Sequence, residues 1–171
     1  MSIFSSLFPR KTDDRAALHP LWHRVVAIAR EEQWYAQCGV ADTVAGRFDA
    51  ITLVLALVML RMEREEALVS PAARLTELFV TDMDGQLRES GVGDLVVGKK
   101  IGRLMAVLGG RLGAFREGLA GEDTVLTEAV KRNVSLIEGS DPGGVAARMR
   151  LLAGQLDGLN AAALLAGEIA R

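Results

Sequence analysis

The chain has 171 residues, of which 50% are hydrophobic and only 5% aromatic, so it is long enough to bury a real core within one domain. Its 20 basic and 22 acidic residues leave a net charge of −2, which excludes the strong positive field typical of nucleic-acid-binding domains. The single cysteine, Cys38, excludes an internal disulfide and suits a reducing compartment. Because most apolar residues are Ala, Leu, Val or Met and only four prolines occur, the composition predicts an all-α protein.

The N-terminal segment MSIFSSLFPRKTDD lacks the order of a signal peptide, because no basic residues precede its apolar part and Pro9 ends that part early. We expect residues 1–18 to form a mobile extension and residues 19–171 to form one helical domain. Residues 1–9 are either a frayed terminus or an amphipathic segment that contacts a membrane. The longest apolar run, residues 51–60, is about half the length of a membrane span, which favours a soluble protein.

Two helices are predicted in the first third of the chain. The first runs from Pro20, at a first-turn position, to about Gln37. The second begins after a cap at Asp42 or Thr43 and runs to about Glu66. Its residues 51–62 are apolar on nearly every side, so we expect this helix to lie in the centre of the fold.

The third and fourth helices are predicted from their end signals and their apolar stripes. Ser70 followed by Pro71 is typical of a helix start, Gly91 suits a left-handed helix end, and Asp94 can cap the fourth helix. The apolar residues of the fourth helix fall within one arc: Val97, Ile101, Leu104, Met105, Leu108, Leu112, Phe115 and Leu119.

Two other faces of the predicted fourth helix are unusual. One flank is basic, with Lys99, Lys100, Arg103 and Arg111, and could favour anionic lipid headgroups. The other flank is a smooth ridge of Gly98, Gly102, Gly109 and Gly113. Glycine inside a helix costs roughly 1 kcal/mol relative to alanine. The ridge therefore indicates either the close approach of another backbone or the compositional drift of a GC-rich genome.

The C-terminal part is predicted to be helical as well. A fifth helix starts at Asp123 or Thr124 and runs to about Ile137, and Asp141 can cap the next helix. The remaining residues form one or two helices interrupted near Gly158. In total we expect six to seven helices in a single compact bundle.

The stretch FVTDMDGQL is similar to the signature of aspartate-dependent phosphatases, in which the first aspartate attacks phosphorus. That signature lies at the end of a parallel strand, but this chain has no alternation of strands and helices, and Gln86 stands where the signature has threonine. On a helix, Asp82 and Asp84 would point about 160° apart and could not share one metal or phosphate. This pattern therefore argues against the phosphatase interpretation.

The other candidates for chemistry are sparse. His19 and His23 lie four residues apart, but no third ligand accompanies them, so no metal site is expected. Cys38 has no general base near it in the sequence and suits a small buried hydrophobic residue. We therefore expect a protein that is not an enzyme and that needs no cofactor.

Residues 81–94 can be interpreted physically as a polar corner. Asp84 and Arg88 can pair four residues apart, and Gly91 and Gly93 let the chain turn. Such a corner is either a well-capped joint between helices or a recognition surface. A further alternative for the whole chain is a helical bundle that carries a quinone or lipid in a cavity lined by the apolar second helix.

The string DMDGQLRESGVGDLVVGKKIGRLM, residues 82–105, resembles the signature segment of the ubiquinol–cytochrome c chaperone family, which assembles respiratory complex III. PLWHRVVAIAR and GVADTVAGRFD fit upstream in the same order, so the resemblance covers about residues 20–137. The sequence LGGRLGAF and Ser90 depart from the family's pattern, and the part from Gly139 onward is too featureless to align.

The resemblance implies an all-helical, non-enzymatic chaperone that binds newly made cytochrome b or a precursor of complex III. A small helical partner protein or the ribosome could be further partners. A bacterial member would work in the cytoplasm, peripheral to the inner face of the inner membrane. The motif positions that the resemblance marks as candidates for binding a client or partner are Arg47, Asp82, Asp84, Leu87, Arg88, Gly91, Gly93, Asp94, Lys99, Lys100 and Arg103. We expect an apolar client segment to lie in a groove flanked by the basic residues of the fourth helix.

Overall fold

The computed structural model describes residues 15–89, 91 and 93–170. The described chain is built from α-helices, which confirms the predicted all-α class, and its one β-type contact is an isolated bridge between Val40 and Leu136. The helices are α1 (His19–Ala29), α2 (Val44–Met62), α3 (Val69–Glu89), α4 (Asp94–Ala120), α5 (Asp123–Asn133), α6 (Pro142–Asp157) and α7 (Ala161–Leu165). Residues 1–14, most of the expected extension, lie outside the described residues, whereas Leu18 is buried in the core.

Helix α2 lies in the centre of the fold, as its uniformly apolar sequence predicts. Its residues from Leu53 to Val58 are all buried, and it packs against α1, α3, α4 and α6. Thr43 caps its start by accepting a hydrogen bond from the Gly46 N–H at 3.1 Å. The helix ends at Met62, four residues earlier than expected. None of the helices described here is long and apolar enough to cross a membrane.

The predicted first helix is broken in the structure. Helix α1 ends at Ala29, and a turn of π-helix follows at Gln33–Gln37. The break is held by two aromatic side chains: the Trp34 indole donates to the Ile28 carbonyl at 2.9 Å, and the Tyr35 hydroxyl donates to the Ala29 carbonyl at 2.7 Å. These bonds satisfy carbonyls at the end of α1 that a continued helix would have used.

The expected cap at Ser70 is wrong, because a short 3-10 turn at Glu66–Leu68 runs directly into α3 and places Ser70 inside the helix. The joint between α3 and α4 confirms Gly91 as the left-handed residue, with φ of +81° and its N–H bonded to the Arg88 carbonyl at 2.9 Å. The cap of α4 differs by one residue from the prediction. Gly93 occupies the N-cap position, and Asp94 is the first residue of the helix.

The C-terminal part closes the core. Helix α5 ends at Asn133, and the following residues run beside the loop after α1, with the Ala41 N–H bonded to the Ser135 carbonyl at 2.9 Å. Asp141 caps α6 through the Gly143 N–H at 2.9 Å, as expected, and Gly158 separates α6 from α7. One continuous cluster of buried side chains includes residues from all seven helices.

Candidate functional site

An open groove of about 1140 Å³ lies between the first half of α2, the second half of α3, α4 and the turn that follows α1. Its walls are apolar and its rim is polar. The apolar side chains are Val44, Ala45, Phe48, Ile51, Met83, Leu87 and Leu104, with the ring of Tyr35, and the polar rim is formed by Arg30, Glu32, Asp42, Arg47 and Gln86. Val44 is 90% exposed and Ala45 is exposed as well, so the start of α2 presents apolar side chains to solvent, whereas Met83 is buried at the base of the groove.

Phe48 in the groove is held from behind by Arg111 of α4, whose guanidinium lies 5.7 Å from the centre of the Phe48 ring. Arg111 is buried, and it pairs with Asp49 at 2.5 Å and donates to the Thr52 hydroxyl. The second carboxylate oxygen of Asp49 accepts the Ser135 N–H at 2.8 Å. This buried network ties α2, α4 and the segment after α5 together directly behind the groove.

The burial of Arg111 corrects the predicted basic flank of α4, which included this residue among exposed cations. A signal for burial was present in the sequence. Arg111 falls within about 40° of Leu104 and Phe115 on a helical projection, at the edge of the apolar arc. Asp49 and Thr52 also lie three residues apart next to an apolar run, where they can face one partner.

The rim of the groove carries an exposed ion pair. The Arg47 guanidinium lies 2.7 Å from the Asp42 carboxylate, and this hydrogen bond lowers the pKa of Asp42 and raises the pKa of Arg47. Burial raises the pKa of the neighbouring Tyr35 hydroxyl, and the charge of Asp42 adds to that effect. All three side chains therefore keep their usual ionisation near neutral pH, and the pair contributes one charge of each sign to the rim.

The structure divides the predicted motif positions among four places. Leu87 and Arg47 line the groove. On α3, Asp84 and Arg88 form the expected pair at 2.7 Å, and Asp82 accepts from the Gln86 amide at 3.3 Å. The other positions lie in the joint between α3 and α4 or on the exposed face of α4: Gly91, Gly93 and Asp94 in the joint, and Lys99, Lys100 and Arg103 on the face.

Sequence reasoning missed most of the groove. Val44, Phe48, Met83 and Leu104 come from three helices, and only the packing of α2 against α3 and α4 brings them together. The exposed Val44, directly after the cap of an otherwise buried helix, was the one local signal available.

The glycine ridge of α4 has no neighbour in the described chain. A Cβ added at Gly98, Gly102, Gly109 or Gly113 would meet no other atom within 4 Å. The close approach of another backbone, which the ridge suggested, is therefore not made by any described part of this molecule.

The motif that is similar to a phosphatase signature lies on a helix. Residues 81–89 continue α3 without a break, so Asp82 and Asp84 do not follow a strand. The rings of His19 and His23 are 5.8 Å apart and exposed. Within the described residues, no group of three or more His, Cys, Asp or Glu side chains is arranged to hold a metal ion.

Comparison with known proteins identifies the family of the chain. The sequence model of the ubiquinol-cytochrome C chaperone family matches residues 36–171. The chain belongs to this family. The match extends through the C-terminal part that looked too featureless to align, and it begins after the expected first motif at Pro20.

A solved structure supports the same assignment. The crystal structure of the Cbp3 homolog from Brucella abortus is similar to this chaperone with a TM-score of 0.78 and 32% sequence identity, covering 91% of this chain and 88% of that chain. No curated protein matches the sequence significantly. The relationship at this identity therefore extends over nearly the whole chain.

Proposed function

We propose that this chaperone assists the assembly of ubiquinol–cytochrome c reductase by holding an apolar segment of newly made cytochrome b in the groove. The observation that carries the proposal is the open apolar groove itself, on a member of the ubiquinol-cytochrome C chaperone family. Concave sites lined by apolar side chains with a few polar groups at the edge are the usual places where proteins bind partners or ligands.

The side chains of the groove suit an apolar client. Met83, Leu87 and Leu104 have flexible side chains that can repack around different partners, whereas Phe48 is held by Arg111 and by the Phe79 ring at 6.5 Å. The groove therefore combines a fixed aromatic base with adjustable walls. This combination fits an amphipathic or membrane helix whose sequence varies along its length.

The polar rim suits the same client. Asp42, Arg47, Arg30 and Glu32 surround the apolar walls with charges of both signs. A polar rim around an apolar centre is the usual arrangement of a protein–protein interface, because the flanks of the partner stay hydrated. In this proposal the protein acts by binding alone, in the cytoplasm at the inner face of the bacterial inner membrane.

The alternative is a carrier of a small apolar ligand such as a quinone or lipid. In that case the ligand would occupy this same groove, because the middle of α2 packs against neighbouring helices in the core. Native mass spectrometry of the protein purified from its own host distinguishes the two. A bound small molecule of constant mass supports the carrier, and a bound protein supports the chaperone.

The decisive experiment is photocrosslinking in living cells from a photoreactive amino acid placed at Leu87. The matched control is the same amino acid at Leu151 on α6, which is 69% exposed but does not line the groove. We expect a crosslink to cytochrome b from position 87 and none from position 151. Absence of cytochrome b from the products at 87, or unchanged levels of the reductase after deletion of the gene, contradicts the proposal.

The same crosslinks identify other partners by mass. A small helical protein or a ribosomal protein captured from position 87 would share the groove with the client. A third probe at Lys100, on the exposed face of α4, tests the neighbouring surface: either protein captured only from there would bind beside the groove.

A further inference from the structure

The first turns of α4 carry a group of cations without acidic partners. Lys99, Lys100 and Arg103 are exposed, and none of them forms an ion pair with a described residue. Val96, which is 48% exposed, lies among them, and the four side chains fall within an arc of about 100° on the helix. We call these four residues the basic face. By contrast, the exposed Arg116 pairs with Glu63 at 2.8 Å.

The positive charge of the basic face is not balanced by its surroundings. Residues 95–116 contain no aspartate or glutamate. On the neighbouring α3, the carboxylate of Asp84 is already bonded to Arg88 at 2.7 Å. A chain with a net charge of −2 therefore presents a local cationic surface.

The residues beside the basic face are short. Gly98, Gly102 and Ala106 are exposed, and a Cβ at either glycine would have open space around it. Among the side chains of this flank that the structure describes, none is long enough to keep a surface away from the three cations. The exposed glycines therefore leave the three cations accessible to a flat surface.

We propose that the basic face docks the protein on an anionic lipid bilayer, with Lys99, Lys100 and Arg103 bound to headgroup phosphates. Lipid phosphates move laterally and can match cations spread along two turns of a helix, and the apolar Val96 among them suits the headgroup boundary. A symmetric dimer formed through this face is disfavoured, because the two basic faces would bring like charges together.

Single-stranded nucleic acid is disfavoured by the absence of a stacking residue. The only aromatic residue of α4 is Phe115, which is buried. Proteins that bind single strands combine cations with exposed aromatic rings.

Docking through this face would place the groove beside the bilayer. Leu104 lines the groove and lies one turn along α4 from Lys100. A client segment leaving the membrane would then meet the groove at the interface, a consequence that rests on the proposed function.

The test is flotation of the purified full-length protein with vesicles of neutral phosphatidylcholine or of phosphatidylcholine with 30% phosphatidylglycerol. We expect binding to the anionic vesicles only, decreasing as salt is raised. The variant K99Q/K100Q/R103Q should bind on the order of 100-fold more weakly, because each cation near an anionic surface contributes about a fivefold effect.

The matched control is R64Q/R116Q/K131Q. It also removes three positive charges, but from surface residues that form ion pairs. This variant should bind the anionic vesicles nearly as well as the wild type, and circular dichroism checks that both variants are folded. Equal loss in the two variants, equal binding to neutral vesicles, or no binding by the wild type would overturn the proposal.

The vesicles contain no cytochrome b, so their result is independent of the client. Failure of vesicle binding with an intact crosslink from position 87 rejects only the lipid site. The reverse outcome rejects only the client proposal.

Discussion

The Arg111 guanidinium of α4 lies 2.5 Å from the Asp49 carboxylate of α2, and both side chains are buried behind the groove. Removing either charge from water is costly, and only the mutual contact and the bonds to Thr52 and Ser135 offset that cost. The pair also fixes Phe48, which Arg111 contacts from behind. The position of the groove therefore depends on a buried electrostatic contact that is remote from the rim.

Replacing Arg111 with alanine should lower the free energy of unfolding by about 3–5 kcal/mol, because the Asp49 charge would stay buried without its partner. Urea denaturation followed by circular dichroism measures the change. The control is Arg116→Ala, which removes an exposed pair with Glu63 and should cost at most about 1 kcal/mol. Equal effects of the two substitutions would show that the buried pair is not a stabilising contact.

The helices and most of their ends could be predicted from the sequence because their causes are local. Thr43, Gly91 and Asp141 act within a few residues of their own positions, and the structure confirms each. Ser70 satisfied the same local rule and failed, because the preceding residues already form a turn that continues into α3. The break after α1 could not be predicted, since it depends on where the Trp34 and Tyr35 side chains find their acceptors.

The site was only partly predictable for a similar reason. Helical periodicity gives the direction of a side chain, not the group that lies opposite it. Arg111 and Lys100 project about 20° apart on α4, yet Asp49 faces one of them and solvent faces the other. Leu87 and Arg47 were identified by motif, but their convergence in one groove required the packing of three helices.

Alanine at Gly102 should stabilise the protein by up to about 1 kcal/mol, because the added methyl group meets no other atom and alanine favours the helix. Alanine at Gly39 should destabilise it by more than about 1 kcal/mol. Gly39 has a φ of +77°, and an added Cβ would lie 2.5 Å from the Ser140 hydroxyl oxygen. Thermal unfolding of the two variants provides the comparison. Destabilisation by alanine at Gly102 would indicate a contact of the ridge within the folded protein.

The Cys38 thiol should react slowly with iodoacetamide at neutral pH. Burial raises its pKa, and the positive charge of Arg148 only partly opposes this effect, so the reactive thiolate is scarce. The rate should rise as the pH passes the ordinary thiol pKa and continue to rise above it. Because the folded protein holds this proton to a higher pH than the unfolded chain, Cys38 also reduces stability as the pH rises through that range.

The control for this measurement is the same reaction in urea, where Cys38 should titrate with the pKa of a free thiol. Substituting Arg148 with glutamine should slow the reaction of the folded protein further, since it removes the charge that favours the thiolate. A folded-state pH profile that coincides with the profile in urea would contradict the burial of this thiol.

Aspartate at Val44 should weaken client binding without weakening the fold. Val44 is 90% exposed at the first position of α2, where an acidic residue suits the helix N-terminus, so the free energy of unfolding should change by no more than about 0.5 kcal/mol. An apolar client in the groove would cover the new carboxylate and leave it without a partner, which disfavours the complex. We expect the yield of the cytochrome b crosslink from position 87 to fall at least about fivefold.

The matched control is Val69→Asp, which places the same charge on another exposed valine at the start of a helix, away from the groove. It should leave the crosslink unchanged, and Val44→Ile should preserve it as well because the surface stays apolar. If both aspartate variants reduce the crosslink equally, the added charge acts through the whole molecule and the groove is not the client site. A loss confined to position 44 assigns client binding to the apolar wall that α2 contributes.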